Sequence, residues 1–234
     1  MGNSMKTAPK IYKMRIVFTV ADNWDHKHIM TILRELVLRS GLPFEPAKVN
    51  KNWPRLAYSP VLGYKQYSLG EVADLYFSAP VMEADAQAAF VKSAPDGVRV
   101  LRVRRVPYAL PSVMSLAEVM KYSVGGNFSS YAPAQSAEQF FRGKHIYVSE
   151  EAPNGLVLQR DLKPFILQAA QPQPDQVELW LQRCADKTVK PEYVIAAWLN
   201  VQVPAAEEFT LPDLTFTREG LYWRDSQGNL HAIN

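Results

Sequence analysis

A single cysteine, Cys184, stands in 234 residues, so this chain can assemble neither an internal disulfide framework nor a multi-thiolate metal site. No apolar run approaches the roughly 18 residues that a membrane-spanning helix needs. The opening "MGNSMKTAPK" lacks the apolar core of a signal peptide, and Lys6 sits where a myristoylation signal wants Ser or Thr. Gly-rich phosphate loops, Gly-x-Ser-x-Gly elbows and zinc spacings are missing as well. "VGGNFSS" (124–130) has glycines and hydroxyls but no phosphate-loop lysine, and reads as a turn. These absences point to a soluble cytoplasmic protein, with no membrane among its partners and no familiar catalytic apparatus.

What is present suits a folded chain. Hydrophobic residues make up 47% and charged residues 21%, enough apolar material for a sizeable core without staples. The net charge of +3 is unevenly spread: 17 Lys and Arg face 10 Asp and Glu through Lys121, and 9 face 13 from Tyr122 onward. A basic half joined to an acidic half suggests different partners for the two, an anionic surface suiting the first. The division implied is 10–121 and 122–234.

Periodicity supplies the elements. "KIYKMRIVFTVA" alternates as a strand does, with Ile11, Met14, Ile16 and Phe18 apolar. "HIMTILRELVLRSG" repeats apolar residues at Ile29, Ile32, Leu33, Leu36 and Val37, the spacing of an amphipathic helix, and Gly41 and Pro43 stop it. Residues 44–70 carry too many prolines and glycines for more than short strands. "EVADLYFSAP" reads as a strand and "MEADAQAAFVKSAP" as a second helix. "GVRVLRVRRVPY" is a strand whose alternation slips by one residue after Val100, the mark of a bulge. Strand, helix, strand, strand, helix, strand is the ferredoxin-like order.

The second half repeats it loosely. "LAEVMKYSV" fits strand or helix, and "SAEQFFRG" is a short helix. "KHIYVSE", "LVLQRDLKPFILQAA" and "QVELWLQRCA" read as strands, and "KPEYVIAAWLN" as a helix with Pro191 in its first turn. "FTREGLYWRDSQGNLHAI" closes as a hairpin. The fold expected is α+β: two ferredoxin-like subdomains of βαββαβ type, with antiparallel sheets and a C-terminal β-hairpin.

"WDHKHIM" invites a metal reading and does not sustain it. Helical residues advance by about 100° each, so His26 and His28 point to opposite sides. Asp25 suits the helix N-cap, accepting from orphan backbone N–H groups. His145 and His231 lie in predicted strands with no acidic or thiolate companion at ligand spacing. Cys184 reads as a structural thiol.

Two stretches could carry binding. Arg99, Arg102, Arg104 and Arg105 crowd one strand, and alternation past the bulge projects Arg102 and Arg104 to one face. That face is either a platform for phosphates or acidic side chains, or a solvated outer surface. "NKNWPRLAYSPVLGYKQYS" interleaves Lys51, Arg55 and Lys65 with Trp53, Tyr58, Tyr64 and Tyr67. Such a loop can stack on bases or grip a partner, or its aromatics can pack it onto the domain.

The motif order brings a resemblance into view. Asp25-His26-Lys27-His28, Arg39 to Pro43, Pro54-Arg55, Pro60, Gly63, then Ser68, Glu71 and Asp74, with "APDGVRVLRVRRVP", "LPSVMSLAEVMKYSV", "RDLKPFI" and "KPEYVIAAWL" later, resemble the radical SAM-linked protein family. The resemblance spans roughly residues 10–224. That family is a domain of unknown function found beside, or fused to, radical S-adenosylmethionine proteins that often bind cobalamin. This chain departs from it at His28, where the family has Asp. It departs also in "VNKNWPR", and in two extra residues between Gly63 and Ser68.

The resemblance implies a radical SAM enzyme as partner. One cysteine cannot supply the three thiolates of that enzyme's cluster, so the iron–sulfur cluster, S-adenosylmethionine and cobalamin would belong to the partner and none to this chain. The function expected is a non-catalytic accessory or substrate-presenting protein, with Arg102, Arg104, Lys51, Trp53, Arg55 and His26 as contacts. An RNA-binding module is the second expectation. A weaker third is an enzyme with His26 as general base and Glu71 or Asp74 as its companion.

Overall fold

The first alternating stretch becomes strand β1 (Tyr12–Val20) in a computed structural model that describes residues 11–20, 24, 26–185, 187–205 and 208–234. Helix α1 (His26–Arg39) follows and buries Ile29, Leu33, Leu36 and Val37 of the stripe its spacing predicts, with Ile32 half-buried. The N-cap expected at Asp25 lies outside the described residues. Gly41, at φ +69, ends the helix in a backbone conformation that glycine adopts without strain. The proline-rich stretch keeps only β2 (Leu56–Tyr58) and β3 (Tyr67–Ser68). Then come β4 (Glu71–Phe77), α2 (Glu83–Ser93) and β5 (Val98–Val106).

These strands form an antiparallel sheet in the order β2-β4-β1-β5. The slip read in β5 is real. Phe18 pairs with Val100 and Val17 with Arg102, leaving Leu101 as the extra residue. On one face Met14, Ile16, Phe18, Leu75 and Phe77 join Leu33 and Phe90 of the two helices in one buried cluster.

The second half contains α3 (Val113–Leu116), β6 (Val119–Gly126), α4 (Ala137–Phe141), β7 (Tyr147–Glu151), β8 (Val157–Asp161), β9 (Ile166–Gln173), β10 (Gln176–Gln182), α5 (Pro191–Leu199), β11 (Leu214–Arg224) and β12 (Leu230–Ala232). Its sheet runs β12-β11-β6-β10-β9, while β7 and β8 form a separate hairpin. "LVLQRDLKPFILQAA", expected as one strand, is two. Pro164 has no N–H to give a ladder, and a 3-10 turn at Lys163–Phe165 separates β8 from β9. The ambiguous "LAEVMKYSV" supplies β6, which pairs with both β10 and β11.

The architecture is α+β, with several antiparallel sheets and few helices. In both large sheets the four main strands stand in the order second, third, first, fourth along the chain. The halves interlock, because β3 leaves the first half to pair in parallel with Thr217 and Arg218 of β11. Val72 of β4 belongs to the second half's core, with Val17 of β1 packed against it. The expected division between Lys121 and Tyr122 falls inside β6. Among the described residues no helix is long and apolar enough to cross a membrane.

Candidate functional site

Alternation along β1 puts Lys13 and Arg15 on the face opposite the helices, a position usually solvated. Here that face is covered, and both side chains are almost wholly buried. Asp74 of β4 pairs with Arg15 in the ladder, and its carboxylate accepts from Arg15 Nε at 2.8 Å, Arg15 Nη2 at 3.2 Å and the Val113 N–H at 2.8 Å. Lys13 Nζ lies 3.7 Å from Asp74 and donates to the Leu110 and Pro111 carbonyls. Burial lowers the Lys13 pKa, and the neighbouring Arg15 adds to this against the pull of Asp74.

Next to this cluster the arginines of β5 outnumber their counterions. Arg104 stands opposite Arg15 and Arg102 opposite Val17, so both project to the same face of the sheet, as their spacing implied. Arg102 is exposed and Arg104 half-buried. Burial lowers the Arg104 pKa, with repulsion from Arg15 and Arg102 as further causes. Its Nε is enclosed without a hydrogen-bond partner. Among the described residues neither Arg102 nor Arg104 forms an ion pair.

The aromatic loop lies elsewhere. Trp53 and Arg55 immediately precede β2, at the opposite edge from β5, three strand spacings or about 14 Å away. The Arg34 guanidinium covers Trp53 at 3.9 Å from the ring centroid, and Arg55 rests on Tyr76 at 4.2 Å. Lys51 is exposed nearby in sequence. His26 meets Tyr58 edge to face at 6.0 Å, and His28 meets Trp24 at 4.6 Å. Arg102 and Arg104 thus sit on one edge strand and Lys51, Trp53, Arg55 and His26 lie towards the other, with Arg55 Nη1 reaching the Tyr108 hydroxyl just beyond β5 at 3.4 Å.

A second buried network holds the halves together. The Arg218 guanidinium donates to both oxygens of Glu71 at 2.6 Å and to the Pro60 carbonyl at 2.9 Å. Ser59 Oγ donates to Glu71 at 2.8 Å. Burial pushes the Glu71 pKa up, yet Arg218 and the Ser68 and Ser59 hydroxyls outweigh it and hold the carboxyl below its ordinary value. Gln66, in the turn that begins at Gly63, accepts from the Gly63 N–H and donates to both oxygens of Glu192 at 2.7 and 2.9 Å. A Cβ at Gly63 would come within 2.5 Å of the Gln66 amide, so a larger residue there would displace the amide that serves Glu192. Beside this junction a cleft of about 390 Å³ opens between Trp24, Tyr67, Ser68, Thr215 and Thr217.

The two junction carboxylates titrate with opposite sign. Burial raises the Glu192 pKa above its ordinary 4.5, and Gln66 offsets part of that. Folding therefore favours the protonated form, so this contribution is complete below pH 4.5 and lost as pH rises through the raised pKa. For Glu71 the stabilisation is present above the ordinary value and lost as pH falls. Glu192→Gln should flatten the decline of the urea midpoint between pH 4.5 and neutrality. Parallel declines in the two proteins would refute this origin.

Sequence reading missed Arg218, Gln66, Glu192, Lys13 and Arg15. Lys13, Arg15 and Arg218 are charges inside apolar strand patterns, whereas Gln66 in its turn and Glu192 in α5 carry no such signal. His145 and His231 each find an acid that spacing did not reveal: Asp161 at 2.7 Å and Asp225 at 2.9 Å, both reached across hairpin strands. Cys184 is half-buried, its thiol donating to the Pro164 carbonyl at 3.1 Å. Among the described residues no three His, Cys, Asp or Glu side chains are grouped to hold a metal ion.

The fold and site define an α+β protein of two interlocked sheets with a cation-rich edge. The chain belongs to a family described as an uncharacterized protein conserved in bacteria (DUF2344), whose model matches residues 13–191. No curated protein matches it.

Proposed function

We propose that this protein is a non-catalytic accessory protein that docks on, or presents a substrate to, a radical SAM enzyme in the cytoplasm. The observation that carries the docking role is the unpaired cation excess at Arg102 and Arg104, beside an Asp74 whose oxygens already serve Arg15, Lys13 and a backbone N–H. The choice of partner rests on the resemblance of the motif order. A cobalamin-dependent partner would carry the iron–sulfur cluster and S-adenosylmethionine, and the present chain none of them. The ferredoxin-like grouping of both halves belongs to the same reading, and the shared strand order supports it.

Glu71 and Asp74 each serve a buried arginine, an arrangement that favours structural anchors over companions to a His26 base. RNA binding is the second reading, favoured by Trp53, which is 40% exposed; Arg34 already covers one of its faces. The test is anaerobic purification of the tagged protein from its host, with and without ribonuclease. Arg102→Glu/Arg104→Glu should lose a coloured iron–sulfur or cobalamin partner that survives ribonuclease, while the thermal midpoint stays nearly unchanged. Retention of that partner by the double variant would overturn the docking face.

A further inference from the structure

We infer that β5 is the receiving edge for an acidic extended segment of a partner protein, which adds to the first sheet as a fifth strand. This rests on the docking reading above and supplies its geometry. In the order β2-β4-β1-β5, β5 is terminal and nine residues long. An edge of that length presents backbone N–H and C=O groups to any strand that can pair with it. Their direction is known at one point: the Arg105 N–H turns away from β1 and donates to the Glu83 carboxylate at 2.7 Å. Strand groups alternate, so the Val103 N–H and C=O turn the same way. No strand of the described residues pairs with that edge.

Side chains then select the partner. Arg102 and Arg104 share the face opposite the helices, and an antiparallel or parallel neighbour places its own side chains about 5 Å from them. Glutamates or aspartates two positions apart on the added strand would meet both arginines. Arg104, half-buried and without an ion pair among the described residues, would gain a carboxylate against the open side of its guanidinium. A second copy of this chain is excluded by the same charges, since β5 against β5 brings arginine to arginine. The Leu101 bulge twists the edge further and opposes indiscriminate pairing. The edge is thus closed to itself and open to acidic strands.

The test uses the full chain and a capped, dye-labelled peptide, Thr-Glu-Thr-Glu-Thr-Glu-Thr, followed by fluorescence anisotropy. Three results are expected together. The peptide binds with an affinity that falls as salt rises. Arg102→Glu/Arg104→Glu weakens it by about tenfold or more. N-methylation of alternate peptide nitrogens weakens it by at least about tenfold, and only the unmodified peptide slows amide exchange at Val103. Equal binding of the N-methylated peptide would overturn strand addition, leaving ion pairing alone. No peptide binding would also overturn it, and if Arg102→Glu/Arg104→Glu still loses the co-purified partner, the docking reading survives its geometry. Binding of oligouridylate in place of the peptide overturns it in favour of nucleic acid.

Discussion

Arg218→Met should lower the unfolding free energy by about 3–5 kcal/mol, read by urea denaturation at neutral pH. The Arg218 side chain has 0% exposure and that of Glu71 3%. Loss of the guanidinium strands a carboxylate in the protein interior with the Ser59 and Ser68 hydroxyls as its remaining partners. The same change frees the Pro60 carbonyl that Arg218 serves. Glu71→Leu added to Arg218→Met should recover most of the loss, because replacing both members of a buried pair by apolar groups is close to neutral. A single-variant loss under about 1 kcal/mol, the range of exposed pairs, would show that Glu71 reaches water. Any loss from the double variant as large as from the single one would show that packing, not the stranded charge, sets the cost.

Asp74→Asn should cost about as much, 3–5 kcal/mol, although it changes neither shape nor volume. Asparagine keeps one oxygen for the Val113 N–H, but it cannot neutralise Arg15 and Lys13, both at 2% exposure. With Arg104 opposite Arg15, the variant leaves three cations side by side and no carboxylate among them. The diagnostic is Arg15→Met in the Asp74→Asn background, which should restore a large part of the stability. If Asp74→Asn unfolds at the wild-type urea midpoint, Lys13 and Arg15 are not held by its charge, and the cation excess proposed for the β5 face loses its basis.

Most of the elements could be read from local pattern. The stripe of α1, the slip in β5 and the hairpin of β11 and β12 each depend on residues a few positions apart, where periodicity speaks directly. The prolines around β2 and β3 correctly limited those strands, and the one proline missed, Pro164, turned an expected single strand into two. What alternation could not disclose is that β4 and most of β1 are covered on both faces. Lys13, Arg15 and Asp74 sit at positions that a one-sided sheet would leave in water, and their burial is set by the segment around Val113. The site suffered more. Arg102 and Arg104 were placed on a common face by counting. The partner of Glu71, by contrast, is separated from it by 147 residues, and nothing in "EVADLYF" names Arg218. The motif resemblance singled out Glu71 and Asp74 without saying why; the ion pairs supply a physical reason.

The distance between Glu71 and Arg218 along the chain has a meaning in time as well as in space. During synthesis Arg218 is joined 147 residues after Glu71, which at about 5–20 residues per second is an interval of roughly 7–30 s. Over that interval the first sheet can align β1, β4 and β5 on its own helices, yet the carboxylate at the start of β4 has no guanidinium to receive it. It must stay hydrated, or protonated, with the end of β4 ajar. The segment holding β3 waits too, because its strand partner is β11. The last long strand to be made is therefore the one that locks the first half, and a nascent chain halted before residue 218 holds a sheet that is assembled but not closed.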